Sequence, residues 1–329
     1  MGLGRLCCAL ALMAALLAPA YADDTGRPFL AYHAGWYEVH TDRPEDTSLA
    51  RLPGYITHVA LSFAKPDMVY PGNLELKDTG LQYPYSGTVL KQAIALLKER
   101  NPQTKVLISV GGSGYTNWDQ MDVVAIARLV KDLDADGIDM DYEPANPGCA
   151  ASYGKIHCGD DFNSIRFLER LRDALPRPLT ISTTLWSVGA YGEGEFANAL
   201  PPSPWRGVAL AMLRSPAATD LDQVTIMAYD AGPAFKPDQA FKAYRQYWKG
   251  PLALGIAVMP GTSGGPRYTI ETTSRTLRAV LPDPQAGAML YALREVPPGP
   301  TSPDNPDYRA LSVAICVTLD LEDCAASMP

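Results

Sequence analysis

The stretch Asp136-Gly137-Ile138-Asp139-Met140-Asp141-Tyr142-Glu143 puts four acids into eight residues, three of them at alternate positions. In a β-strand, alternate side chains share a face. Asp139, Asp141 and Glu143 then point one way, while Ile138, Met140 and Tyr142 point the other way, as packing groups. Such an acidic face is expensive unless it does chemistry. Carboxylates this close do not all ionise cheaply, so at least one pKa must rise. A carboxylic acid kept protonated near neutral pH is what a general acid requires.

A second pattern overlaps the first. Asp132, Asp134, Asp136, Gly137 and Glu143 match the calcium-loop spacing D-x-D-x-D-G-x5-E. Such a loop needs a helix leaving its last residue, whereas here Pro144 follows, and Asn146-Pro147-Gly148 reads as a turn. Asp139 also stands where those loops usually carry an apolar residue. A strand ending in Glu143 is the better reading.

Working outward, eight apolar, β-rich runs recur: 29–33, 58–63, 106–110, 138–142, 179–185, 224–229, 252–258 and 288–293. Helical spacing falls between them. Leu90, Ala93, Ile94 and Leu97 follow the second run, with Thr88 as the expected N-cap. Ile126, Leu129, Val130 and Leu133 follow the third. Ile165, Leu168, Leu171 and Leu175 follow the fourth, capped by Asp161. Strand–helix alternation repeated eight times predicts an α/β fold, a single (β/α)8 TIM barrel. Active sites of that fold lie at the C-terminal strand ends. Glu143 ends the fourth run, and Tyr229-Asp230 ends the sixth.

The first 22 residues read as a signal peptide: Arg5, an apolar run from Leu6 to Leu17, and a small-x-small site at Ala20-Tyr21-Ala22. The run is too short to span a bilayer. An exported protein of residues 23–329 is therefore expected, with a barrel core at about 28–296 and an irregular Pro-rich wrap over 297–329. Losing Arg5 takes the formal charge from −8 to −9, which disfavours nucleic acid and anionic membrane as partners. Four cysteines remain after export. Local disulfides Cys149–Cys158 and Cys316–Cys324 are the simplest of three pairings. Zinc is the weaker alternative, since only His157 lies near a cysteine and no C-x2-C is present.

At this point the chain resembles glycoside hydrolase family 18, the chitinases and endo-β-N-acetylglucosaminidases, from about Phe29 to Leu293. The D-G-x-D-x-D-x-E signature stands complete as Asp136 to Glu143. The S-x-G-G of the third strand is Ser109-Val110-Gly111-Gly112, the M-x-Y-D of the sixth is Met227-Ala228-Tyr229-Asp230, and the Y-x3-W of the first runs from Tyr32 to Trp36. The second strand, Thr57 to Ala64, is also similar. The resemblance implies a retaining hydrolase of β-1,4-linked N-acetylglucosamine, endochitinase-like, without cofactor or metal and expected to be a monomer. Glu143 would be the general acid, and Asp141 would hold the substrate's acetamido group. Asp139 would share a proton with Asp141, Tyr229 would donate to the acetamido oxygen, and Asp230 would contact the sugar being cut. The acetamido carbonyl would replace an enzyme nucleophile. Met227, Tyr291, Tyr32, Trp36, Phe63 and Trp186 are the further substrate-binding candidates; Asp136, Ser109, Gly111 and Gly112 would serve the motif structurally.

Three features depart from the family pattern. Tyr291 stands where the eighth strand usually ends in Trp, and Ser113 where many members have Trp after Gly-Gly. About 30 residues separate the seventh and eighth strands, which leaves no room for a large α+β insertion. For Trp36, Trp118 and Trp186, sugar stacking competes with ordinary barrel packing. Trp205 and Trp248 are expected to pack helices, and His33, His40, His58 and His157 to be structural or on the surface. A chitin-binding lectin on an inactive barrel is the alternative outside enzymes.

Overall fold

The computed structural model describes residues 26–258 and 264–329; the expected signal segment lies outside them. The strands are β1 (Phe29–Ala34), β2 (His58–Ala64), β3 (Lys105–Gly111), β4 (Gly137–Asp141), a hairpin of β5 (Ala150–Ser152) and β6 (Lys155–His157), then β7 (Thr180–Trp186), β8 (Gln223–Met227), β9 (Leu252–Ala257) and β10 (Ala286–Leu293). All but the hairpin are parallel and close into a barrel, with β10 pairing back onto β1. Each strand meets its sequence neighbour, as expected for right-handed βαβ crossovers.

The helices are α1 (Gly87–Arg100), α2 (Val123–Leu133), α3 (Asp161–Ala174), α4 (Leu210–Arg214), α5 (Pro237–Tyr247), α6 (Ile270–Arg278) and α7 (Tyr308–Leu319). The apolar faces read from the sequence are the buried ones. Leu90, Ala93, Ile94 and Leu97 of α1 are fully covered, as are Leu129 and Leu133 of α2. Caps moved by a residue or two: Ser86, not Thr88, accepts from Val89 N at the start of α1. Asp160 is the N-cap of α3, and Asp161 instead accepts from Cys158 N.

Two expectations need correcting. The first crossover holds no α-helix, only 3-10 turns at Gly35–Tyr37, Pro44–Asp46 and Leu49–Arg51. Pro44, Pro53 and Gly54 interrupt any longer helical run there. The segment after Pro297 is not an irregular wrap throughout. From Tyr308 it forms α7, capped by Asp307, which accepts from Ala310 N, and packed on α6 and β10. Tyr308, Leu311, Ile315 and Leu319 are buried at helical spacing. Cys316 and Cys324 are joined across the end of this helix, and Cys149 and Cys158 across the base of the hairpin. Among the described residues no helix is long and apolar enough to cross a membrane.

The strands separate two cores. The large one fills the space between barrel and helices and includes Ile138 and Met140. The small one lies inside the barrel around Leu30, Tyr32, Ala60, Leu107 and Met289, with Phe63, Met227, Tyr229 and Tyr291 at its edge.

Candidate active site

Strand register builds the site. Ser109 of β3, Asp139 of β4 and Ser182 of β7 pair side by side, and Gly111 pairs with Asp141 one step higher. Asp139 is fully buried. It accepts hydrogen bonds from Tyr32 Oη at 2.7 Å, Ser109 Oγ at 2.9 Å, Ser182 Oγ at 2.6 Å and Thr184 Oγ1 at 3.2 Å. Burial raises its pKa, while these hydroxyls oppose the rise by stabilising the anion. Asp141 has no such cradle. It is 3% exposed, and among the described residues no group bonds its Oδ1. Burial first, then the charges of Glu143 and Asp139, push its pKa well above the carboxylate range. Burial also lifts Glu143, to about 7, against the pull of a hydrogen bond from the Ser113 backbone. The three acids therefore titrate as a linked set, and Glu143 is poised to be protonated near neutral pH.

The glycines make room for this. Gly111 has φ +110°, and a Cβ there would lie 2.1 Å from Asp141 O and 2.7 Å from the Trp118 ring. Any side chain would push β3 off the acid-bearing strand. A Cβ on Gly112 would press on the Phe63 ring, and Gly112 N donates to Asp141 O at 2.8 Å. Asp136, at the strand's base, pairs with Lys98 at 2.9 Å and accepts from Val106 N at 2.7 Å, far from the chemistry. Asp132 accepts from Tyr70 Oη, and Asp134 is the C-cap of α2. The acids of the calcium-like spacing are thus engaged separately.

Opposite the acids stands a row of rings. Tyr229 stacks on Tyr291 with centroids 5.8 Å apart, Tyr291 on Phe63 at 6.4 Å, and Phe63 on Trp36 at 6.0 Å. Burial raises the Tyr229 pKa well above normal, with Tyr291 and the carboxylates adding to the rise, so its hydroxyl stays protonated and able to donate. Met227 is half-buried below this row, and Asp230 is exposed just beyond it with φ +48°.

Several assignments change. Tyr32, a substrate-binding candidate by sequence, is 1% exposed, and its hydroxyl donates to Asp139. Trp118 packs against Tyr142 and Phe167 inside the shell. Trp186 is half-buried, one face covered by Trp205 at 4.5 Å. Trp205 packs against the shell core, and its Nε1 also donates to Pro144 O at 2.7 Å, next to Glu143. The sequence reading also missed Ser182 and Thr184. Their alternate positions on β7 mark an inward hydroxyl face, and that signal can be used once the barrel is assigned.

Carboxylates that stay protonatable at the end of a barrel strand, facing a mouth lined by rings, suit acid catalysis on a sugar. The chain belongs to the glycosyl hydrolases family 18, whose model matches residues 29–244. The match ends within α5, so β10 and Tyr291 lie beyond it. No curated protein matches the chain. Solved structures of similar fold include a family 18 chitinase from Pseudoalteromonas aurantia, at 18% identity, 81% coverage of this chain, 94% of that one and TM-score 0.56. A chitinase from Rhizomucor miehei has 16% identity, covers 89% of this chain and 100% of its own, with TM-score 0.54. A Group IV chitinase from Ostrinia furnacalis in complex with allosamidin has 14% identity, 82% and 92% coverage, and TM-score 0.55. At these identities the likeness speaks for the fold.

Proposed function

We propose that this chain is an exported, retaining glycosidase that cuts β-1,4-linked N-acetylglucosamine, endochitinase-like, with the substrate's own acetamido group as nucleophile. The observation that carries the reading is the pairing of Glu143, with its pKa raised to about 7, with the buried Asp141, whose Oδ1 no group among the described residues bonds. Glu143 gives its proton to the bridging oxygen as the bond to the anomeric carbon breaks. The acetamido carbonyl oxygen attacks that carbon from the other side. Asp141 accepts from the acetamido nitrogen and offsets the developing oxazolinium charge, while Asp139 and its hydroxyl donors hold a shared proton that can shift as Asp141 ionises. Tyr229 donates to the acetamido oxygen and orients it; Asp230 contacts the same sugar. Water, deprotonated by Glu143, then opens the ring from the face the leaving group left. Two displacements give net retention. Export is supported by the leader-like first 22 residues and by the two disulfides.

The test is the stereochemistry and the acetyl requirement. Fresh products from chitin oligomers should be the β-anomer, and fully deacetylated chitosan should resist cleavage. A first-formed α-anomer, or brisk hydrolysis of deacetylated polymer, rejects the mechanism. A second reading, an endo-β-N-acetylglucosaminidase on N-glycans, is favoured by the link from β9 (ending Ala257) to α6 (starting Ile270), which is too short to hold an inserted domain that would exclude a branched substrate. Product analysis on chitin oligomers beside a high-mannose glycoprotein separates the two. Binding of oligomers without turnover would instead mark a lectin.

A further inference from the structure

Glu38 lies just past the 3-10 turn Gly35–Tyr37 that follows β1, outside every motif above, yet its side chain is only 2% exposed. Its carboxylate accepts from Ser48 Oγ at 2.5 Å, Ser48 N at 3.3 Å and Tyr85 Oη at 3.3 Å. Arg294 Nε approaches it at 3.3 Å and also donates to Tyr37 O at 2.8 Å. His33 Nε2 lies 3.7 Å away, but His33 is bonded to Tyr83 Oη and Ser48 Oγ, and burial lowers its pKa to about 4. His33 is therefore neutral at working pH, and Arg294 is the cation that balances Glu38. A buried carboxylate held by one cation and three other donors is costly to assemble and fixes its surroundings tightly.

What it fixes is the outer end of the aromatic row. Glu38 follows Trp36 by two residues, and Arg294 follows Tyr291 by three. The pair thus ties the β1 loop to the end of β10, the two segments that carry the first and third rings of the row counted from the rim. Trp36 is the exposed end, at 38%. It stacks on Phe63 with planes 23° apart and meets the Tyr37 ring at 5.7 Å in a tilted pair, and more than a third of its surface stays open to a ligand.

We infer that Glu38 and Arg294 are positioning residues that hold Trp36 as a stacking platform for a sugar beyond the one being cut, and so set the enzyme's preference for longer oligosaccharides. The inference rests on the reading that the substrate is an N-acetylglucosamine oligomer. An indole held over the apolar face of a pyranose gains from stacking only if its plane is fixed beforehand; a loose loop forfeits that gain as ordering entropy.

The experiment compares a short chromogenic chitobioside with chitohexaose in wild type, Glu38→Gln, Trp36→Ala and the double variant. Glu38→Gln should keep kcat/KM on the chitobioside within about two-fold and lose roughly three- to ten-fold on the hexamer, mostly through KM. The double variant should lose no more on the hexamer than Trp36→Ala alone, since both changes remove the same contact. Equal losses on both substrates, or losses that multiply, would mean a merely structural network and overturn the inference. If Glu38→Gln does not fold, Arg294→Lys carries the test: it keeps the charge but loses the Nε–H that lies against both Glu38 and Tyr37 O. Wild type that neither cuts nor binds the hexamer refutes the functional reading. Wild type that prefers it, with a Glu38→Gln variant that keeps the same preference, refutes this inference alone.

Discussion

The barrel wall divides the molecule into an interior and a shell, and the two obey different rules. The shell is aliphatic and large: Leu90, Leu129, Leu168 and Leu171 are buried against the outer faces of the strands. The interior has few apolar residues, and its upper layer is polar: Asp139, Asp141, Ser109, Ser182 and Thr184 are all buried. In the shell a side chain needs the right volume, and many hydrophobes meet that need. In the interior each polar atom needs a particular partner, or else leaves a cost that only function repays. Asp139, with its four hydroxyl donors, meets the first condition. Asp141, with an oxygen that no group among the described residues bonds, meets the second.

The largest effect should come from the interior. Glu143→Gln removes the proton donor with almost no change of shape, and kcat should fall by about 10²- to 10⁴-fold. Oligosaccharide binding should survive, which calorimetry would check; near-wild-type turnover would remove Glu143 from its role. The same residue predicts two pH effects. As a general acid it must be protonated, so kcat/KM, which reports the free enzyme, should fall as pH rises through about 7. Stability follows with matching sign. Its folded pKa is raised, so the relative stability it contributes is full below its unfolded pKa and is lost as pH climbs through about 7. The Gln variant should therefore melt above wild type at pH 8 and close to it at pH 4. A reversed order would mean that burial does not govern this carboxyl.

Tyr291 tests the edge between the two regions. It stacks on both Tyr229 and Phe63, so Tyr291→Ala should lower kcat/KM by roughly ten-fold through lost stacking under the sugar. Tyr291→Phe, which keeps the ring, should recover most of this. A fully active Tyr291→Ala would mean that the sugar does not rest on this ring.

The shell should respond in the opposite sense. Leu168 is fully buried, and Leu168→Ala should cost about 2–5 kcal/mol of stability by denaturant titration. Turnover per folded molecule should hardly change. If kcat fell as sharply as for an interior variant, the division between the two regions would be wrong.

This division also governs what could be read in advance. The interior acids were legible because strand parity puts three carboxylates on one face within five residues, a pattern with few other uses. The shell was legible as periodicity, as in α1 and α2. Contacts between distant segments were not. Nothing local to Trp205 announces that it bonds the carbonyl of Pro144, and nothing near Glu38 points to Arg294; their partners are chosen by the closed barrel. The last helix was hidden differently. Prolines at 297, 298, 300, 303 and 306 read as irregular chain, and they are irregular, but Tyr308, Leu311, Ile315 and Leu319 carry the helical spacing beyond them. Tyr32 shows a further limit: its 1% exposure was not legible, because barrel strands bury inward rings as readily as they offer them to substrate.

The smallest expected effect sharpens the comparison at the surface of the shell. Helical spacing located α1 but not its first residue. Thr88 and Ser86 are both plausible caps by residue type, and only backbone geometry distinguishes them. Ser86 has extended φ and ψ, −66° and 155°, and its hydroxyl accepts from Val89 N at 3.3 Å. Thr88 lies inside the first turn, where a β-branched side chain is mildly unfavourable. Ser86→Ala should therefore cost about 0.5–2 kcal/mol, and Thr88→Ala should be neutral or slightly stabilising, with neither changing kcat. Paired urea titrations would decide. A Thr88→Ala variant that loses as much as Ser86→Ala would move the start of the helix to the position the sequence pattern first suggested.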